Sequence, residues 1–469
     1  MFTASKILRR VLIVIIALLI VGLAAFYVFL KQKQTAVGNG AERVYGTDAP
    51  SLGNSTESPH GSNVSNTASP RNKAEAVESP SKTSRLLQVT KSPVAGMGFN
   101  GSANSSNLLF TERSSGYIRQ EDVRTGTVTR LTNKLLPKVY EAIFSRGRVI
   151  IRSVDENGNV TSFVAAMATS STSRSTHTIS GISSSSTPDT PAEQGGASAF
   201  LNGQYIENNI ATLSVNQKTD EMFYLRRESS GLTVGVRVPA SATEAAVLQG
   251  AKQKTVFSSL ISNWISIFLP DGRIFLTLKP SDNISGYAYE LKGDGLLSPQ
   301  LLDVPGLTYL PQTSSTAILF GSSQSGELKL YARARDDATI ISLPLKTIAD
   351  KCVWAPTNAS QNVLASKALI AYCAVPQYIP SKKFLDDWHR GAIHTSDDWW
   401  RINASDGTVE LLYSPGDTGV SIDVENPIID DKGETIAFMN ALDKTLWLLS
   451  IDLSAQADAP KNPASNNPN

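Results

Sequence analysis

The sequence predicts an all-β fold, a β-propeller of about seven four-stranded blades, preceded by one transmembrane α-helix and a disordered tether. Three observations predict it. Val11 to Leu30 is an apolar run of twenty residues without a charge. The stretch after it, up to Ser84, is dominated by Ser, Asn, Thr, Gly, Ala and Pro. From about Arg85 onward, short alternating or β-branched runs recur, broken by Gly, Asp, Asn and Pro, with almost no helical periodicity.

The apolar run is long enough to cross a bilayer, since a helix rising 1.5 Å per residue needs about twenty residues for the hydrocarbon core. A cleaved secretory signal is the competing reading, but its apolar region usually spans only about 7–15 residues. Lys6, Arg9 and Arg10 lie on one side of the run, and Lys31 and Lys33 on the other. A short positive tail stays most easily in the cytoplasm, and long domains translocate largely regardless of their own charge. The expected location is therefore the cell membrane, single-pass, N-terminus cytoplasmic and propeller extracytoplasmic. The lipid bilayer is the first expected partner.

The expected organisation runs in order along the chain: a short tail (1–10), a transmembrane helix (11–30) and a disordered linker (31–84) come first. A propeller (85–455) with a disordered insertion (169–196) follows, then a disordered tail (456–469). The linker lacks the apolar content to offset the entropy of ordering. The insertion is Ser/Thr-rich and strand patterns resume on both sides of it, so it belongs to a loop of the folded domain.

Lys and Arg number 43 against 42 Asp and Glu. That balance argues against nucleic acid as a partner, because affinity for it comes chiefly from cations on phosphates. Two cysteines, Cys352 and Cys373, are too few for a disulfide scaffold or a zinc module.

Within the folded part, Arg148–Val154, Met222–Leu225, Arg273–Leu278, Ala317–Phe320, Ala368–Cys373 and Thr435–Phe438 read as strands. Each is followed by a polar turn and a second strand, and corresponding runs recur at blade-like spacing. Units are expected to start near residues 85, 134, 208, 255, 305, 347 and 417. Pairing of the domain's two termini is expected to close the ring, since closure removes exposed strand edges.

The repeat resembles TolB-like propellers and the propeller domain of the prolyl oligopeptidase and dipeptidyl peptidase IV family. Phe268-Leu-Pro-Asp-Gly-Arg-Ile-Phe-Leu276 and Asp430-Asp-Lys-Gly-Glu-Thr-Ile-Ala-Phe438, the latter followed by Leu446–Asp452, match its turn-and-strand pattern. Val353-Trp-Ala-Pro356 and Phe144-Ser-Arg-Gly147 are eroded copies. The resemblance implies a role in envelope complexes. The prolyl oligopeptidase relatives add an α/β-hydrolase domain, which is not expected here. The nearest string to a nucleophile elbow, Gly321–Ser325, lacks the final Gly. Neither a phosphate loop, a dinucleotide fingerprint nor an H-E-x-x-H pair is present, so neither catalysis nor a cofactor is expected.

The densest segment is Pro376–Arg401, which holds three of the six Trp and two Asp-Asp-Trp units. One reading makes Trp388, Trp399, Asp386, Asp387, Asp397 and Asp398 an aromatic-acidic surface for a protein or glycan partner. The other makes it a long inter-strand loop whose Trp residues plug the propeller rim. Asp387, His389, His394 and Asp397 match no metal-ligand spacing, so no metal is expected. Alternation along the strand predicts Trp400 inward and Trp399 outward. Cys352 and Cys373 flank one loop and are expected to be bridged if the domain is extracytoplasmic. The function expected is an envelope interaction scaffold; the alternative is a propeller hydrolase or lyase with its site in the central channel.

Overall fold

Asp-Gly and related turns set the rhythm of the chain. Gly272 and Gly433 adopt positive φ angles of 94° and 73°, which an L side chain resists and glycine does not. The Asp271 side chain accepts from Arg273 N at 3.1 Å, and Asp430 accepts from Glu434 N at 2.8 Å and Thr435 N at 3.1 Å. Each carboxylate thus satisfies amides that the tight reversal leaves without a ladder partner.

The computed structural model describes residues 85–102, 105–167, 201, 203–238, 254–313, 315–336, 339–357 and 368–451. The transmembrane helix (11–30), linker (31–84), insertion (169–196) and tail (456–469) expected from the sequence lie outside them. Among the described residues no helix is long and apolar enough to cross a membrane.

The strands form seven antiparallel sheets of four strands each. Blade 1 runs from Val94–Ser102 to Thr127–Arg130, blade 2 from Val139–Phe144 to Gly203–Tyr205, and blade 3 from Ile210–Val215 to Lys254–Ser259. Blade 4 runs from Trp264–Phe268 to Leu297–Pro305 and blade 5 from Thr308–Pro311 to Ile341–Leu343. Blade 6 comprises Cys352–Trp354, Ile370–Pro376, Asp397–Asn403 and Thr408–Tyr413. Blade 7 comprises Val424–Ile429, Thr435–Asn440 and Leu446–Ser450, completed by Leu86–Gln88 from the other end of the domain.

Leu86 pairs with Leu449 and Gln88 with Trp447, so the two ends of the domain close the ring. The unit expected to start near residue 85 is corrected on this point. Its first strand is the outermost strand of blade 7, and blade 1 itself begins at Val94.

First strands of successive blades touch one another and line the axis. Close approach at blades 1 and 2 needs glycine: a Cβ on Gly96 would stand 1.9 Å from Ala142 O, and one on Gly98 2.5 Å from Phe144 Cβ. The core is a series of inter-blade layers. One layer joins Val94, Leu108 and Phe110 of blade 1 to Ala437, Met439, Leu446 and Leu448 of blade 7. Another joins Tyr372 and Trp399 of blade 6 to Ile422, Val424, Ile436 and Phe438. Because a blade lies between two neighbours, both of its faces are buried.

The turns between first and second strands all lie at one end of the ring. Links between blades, and the turns between second and third strands, lie at the other.

Candidate functional site: an ion cluster under a strap, and an open channel mouth

At the end bearing the inter-blade links, residues 377–396 of blade 6 leave the sheet and form a strap across the rim. The strap contains one short helix, α1 (Phe384–His389). The helix buries Phe384, Leu385 and Trp388 against Leu328 and Ile348, which anchors it over blades 5 and 6. Its backbone reaches blade 4, where Asp386 N donates to Asp282 Oδ2 at 3.0 Å. Asp387 accepts from Ser381 and from Arg390, both at 2.5 Å, and those bonds hold its carboxyl below the ordinary aspartate value. At the strap's base Asp398 accepts from Gln377 Nε2 at 2.8 Å and from Ser414 Oγ at 2.7 Å.

Beneath the strap lies a cluster of buried ions. Lys351 precedes the first strand of blade 6, and Asp423 occupies the same position before the first strand of blade 7. Lys351 Nζ is 2.6 Å from Asp397 Oδ2 and 2.6 Å from Asp423 Oδ1, with Val424 O at 3.1 Å and Thr395 Oγ1 at 3.2 Å. The side chains of Lys351, Asp397 and Asp423 are 0%, 0% and 1% exposed. Trp388 donates Nε1–H to Asp423 Oδ1 at 2.8 Å, and its ring lies 4.7 Å from Lys351 Nζ. His394 Nδ1 stands 3.0 Å from Asp423 Oδ2 with its side chain one-third exposed.

Burial pushes the Asp397 carboxyl up, against the pull of Lys351, Thr395 and the Val424 amide. Burial opposes ionisation of Asp423 too, yet Lys351, Trp388 and Thr395 hold that carboxyl below its ordinary value. A buried ion pair survives only with such supplementary hydrogen bonds.

The aromatic-acidic surface expected from Pro376–Arg401 is not assembled. Trp399 is fully buried, 5.3 Å from the Phe438 ring and facing blade 7. Trp388 is buried under the strap, and Asp397 lies in the ion cluster. Asp386, Asp387 and Asp398 remain partly exposed, but they serve the strap's own bonds or flank its helix. The orientations of Trp399 and Trp400 also differ from expectation: Trp400 is the more exposed and packs toward the blade 5 side. Alternation holds, but a propeller blade has no solvent face to alternate with. Cys352 and Cys373 are directly opposite in the first two strands of blade 6 and joined as a disulfide. Among the described residues no group of His, Cys, Asp or Glu is arranged to hold a metal ion.

Sequence reasoning missed Lys351, Thr395 and Asp423. The available signal was a charged residue immediately before the first strand of two successive blades, Asp-Lys-Cys-Val-Trp and Ile-Asp-Val-Glu.

The opposite end of the ring is open. A cavity of about 680 Å³ is lined by all seven blades, through residues at the ends of their first strands or in the turns that follow, from Gly98–Asn100 in blade 1 to Ile428–Asp431 in blade 7. Arg146 and Lys218 face it from blades 2 and 3, whose turns are joined by Arg146 N donating to Gln217 O at 3.2 Å. Asp430 and Asp431 line it from blade 7, and Phe99, Phe144 and Trp354 supply apolar wall. Asp271 is paired with Arg273 at 2.7 Å. No histidine lines the mouth among the described residues.

No family model and no curated protein matches the chain. Solved structures do. The β-propeller domain of the Trilobed protease from Pyrococcus furiosus is 11% identical with a TM-score of 0.43, covering 76% of this chain and 95% of that one. An oligogalacturonate lyase from Vibrio parahaemolyticus is 9% identical with a TM-score of 0.48, covering 79% and 94%. TolB from Acinetobacter baumannii is 10% identical with a TM-score of 0.37, covering 76% and 78%. The likeness is one of fold. Enzymes and non-enzymes share it.

Proposed function

We propose that this protein is a membrane-anchored interaction scaffold of the cell envelope, whose propeller presents its open channel mouth to a protein or glycan partner. The observation that carries the reading is the asymmetry of the ring. One end is overlaid at blades 4 to 6 by a strap fastened through buried ions. The other offers a mouth built by every blade and lined by both cations and carboxylates, Arg146 and Lys218 with Asp271, Asp430 and Asp431. Rigid, concave surfaces with fixed charges give specificity through electrostatic complementarity. The apolar run 11–30 supports anchoring, and a tether of about fifty residues supports a reach of roughly 40 Å from the bilayer. The engagement of Asp271 by Arg273 and of Asp430 by turn amides favours a binding mouth over a hydrolytic one.

A second reading, an enzyme acting within the channel, is favoured by the mouth's volume, which falls in the range of small-molecule sites. A photocrosslinker placed at Lys218 in the mouth, with one at Leu302 on the exposed edge of blade 4 as control, separates the readings. The scaffold requires a discrete adduct from Lys218 that Leu302 does not give and that Arg146→Glu abolishes. Equal adducts from both positions, or none, refute it. Release of a soluble chain by alkaline extraction refutes the anchor.

A further inference from the structure

The ion cluster beneath the strap does not balance its charge. Two buried carboxylates, Asp397 and Asp423, face one buried ammonium, Lys351. One further proton brings the cluster to neutrality. Among the described residues the only imidazole touching these three side chains is that of His394. Its one-third exposure gives solvent a route to the proton, whereas Asp397 has none.

Close polar contacts link both carboxylates to the imidazole, the single Thr395 hydroxyl proton serving one carboxylate at a time. Thr395 Oγ1 lies 2.7 Å from Asp397 Oδ1 and 2.9 Å from Asp423 Oδ1, and Asp423 Oδ2 meets His394. A proton entering at His394 is therefore felt by both carboxylates.

Other charges around the imidazole are already committed. On the strap, His389 pairs with Asp350 at 3.1 Å and Arg390 with Asp387 at 2.5 Å. On blade 7, Glu425 pairs with Lys444 at 2.5 Å, and the Asp423 amide donates to Asn440 Oδ1 at 3.0 Å. None of these supplies the missing positive charge.

Strap and cluster share their fastenings. Trp388 and His394 are strap residues, and both bind Asp423, which belongs to blade 7. We propose that residues 377–396 form a proton-operated latch: protonated His394 neutralises the Lys351–Asp397–Asp423 cluster and fastens the strap to blade 7, and loss of that proton releases it. Loss leaves a net negative charge in a buried site, which low dielectric penalises heavily. Withdrawing Trp388 and His394 admits water and relieves the penalty. Release is therefore favoured as pH rises.

Amide hydrogen exchange on the full-length chain tests this, with rates over 377–396 corrected for intrinsic pH dependence. Between pH 5.5 and pH 8, a window in which imidazoles titrate, strap protection should fall about tenfold or more. His394→Gln should remove that dependence, holding protection low throughout. Asp397→Asn is the second variant. Its carbonyl can accept from Lys351 and Val424 N while its amide donates to Thr395, so the bonds are kept and the surplus charge is lost. The strap should then stay protected at pH 8. Protection that is flat with pH in the unmodified chain overturns the proposal. So does the same dependence in His394→Gln, or strap release at pH 8 in a folded Asp397→Asn chain. If Asp397→Asn does not fold, the comparison with His394→Gln alone decides.

Discussion

Glu121 is where the ring's closure becomes sensitive to pH. It sits in the third strand of blade 1, directly opposite Leu108, and so shares the face that packs on blade 7. It is 2% exposed, and its Oε2 has no hydrogen-bond partner among the described residues. Burial, reinforced by neighbouring Asp122, raises its pKa from 4.5 to about 7. The folded state therefore binds a proton that the unfolded chain has released over this interval. Stability contributed by the protonated carboxyl is complete below the unfolded value and is lost as pH rises through the folded one. The difference amounts to about 3 kcal/mol, at 1.36 kcal/mol per unit. Glu121→Gln keeps the shape and removes the charge. Urea unfolding of both chains at pH 4.5 and pH 8 isolates the effect, because every other titration cancels in the difference. The variant should gain about 3 kcal/mol over the parent on passing from the lower pH to the higher. A difference between the two chains that does not change with pH refutes the reasoning and means that Glu121 is solvated or paired within the seam.

Three further outcomes follow from the packing. Replacing Cys352 and Cys373 together by Ala should lower stability by about 3 kcal/mol, the chain-entropy value for a loop of some twenty residues, measured by denaturant midpoint under non-reducing conditions. Trp399→Ala should cost about 3–5 kcal/mol in the same assay, because the indole fills the layer between blades 6 and 7 and its removal leaves a cavity there. Lys351→Met should cost a similar 3–5 kcal/mol by removing the buried ammonium that pairs with both Asp397 and Asp423. That loss should be larger at pH 8 than at pH 5, since the stranded carboxyls must be protonated to stay buried.

Much of the architecture was legible in the chain. Asp271-Gly272 and the turn at Asp430–Gly433 mark hairpins because only glycine takes their positive φ readily, and the carboxylate caps the reversal. Runs such as Met222–Leu225 mark strands buried on both faces, since a blade has neighbours on both sides. Closure by the domain's two termini was legible from the need to remove exposed strand edges, whereas the assignment of Leu86–Gln88 to blade 7 was not. What sequence alone handled poorly was orientation. Trp399 and Trp400 alternate as any strand requires, but alternation cannot say which neighbour each side chain meets, nor that neither meets open solvent. The Asp-Asp-Trp units looked like a surface because their composition is polar and aromatic. In the fold, one carboxylate of the second unit is buried against a lysine 46 residues away.

Local chemistry therefore determined the strands, the turns, the blade count and the apolar run at the N-terminus, because each depends on residues close together in the chain. Tertiary structure alone decided the partnership of Lys351 with Asp423, the seating of the strap, the seam around Glu121 and the seven-sided mouth. These arise where different blades converge around one axis. The spacing of charges across that axis is set by ring closure, which brings together residues far apart in the chain.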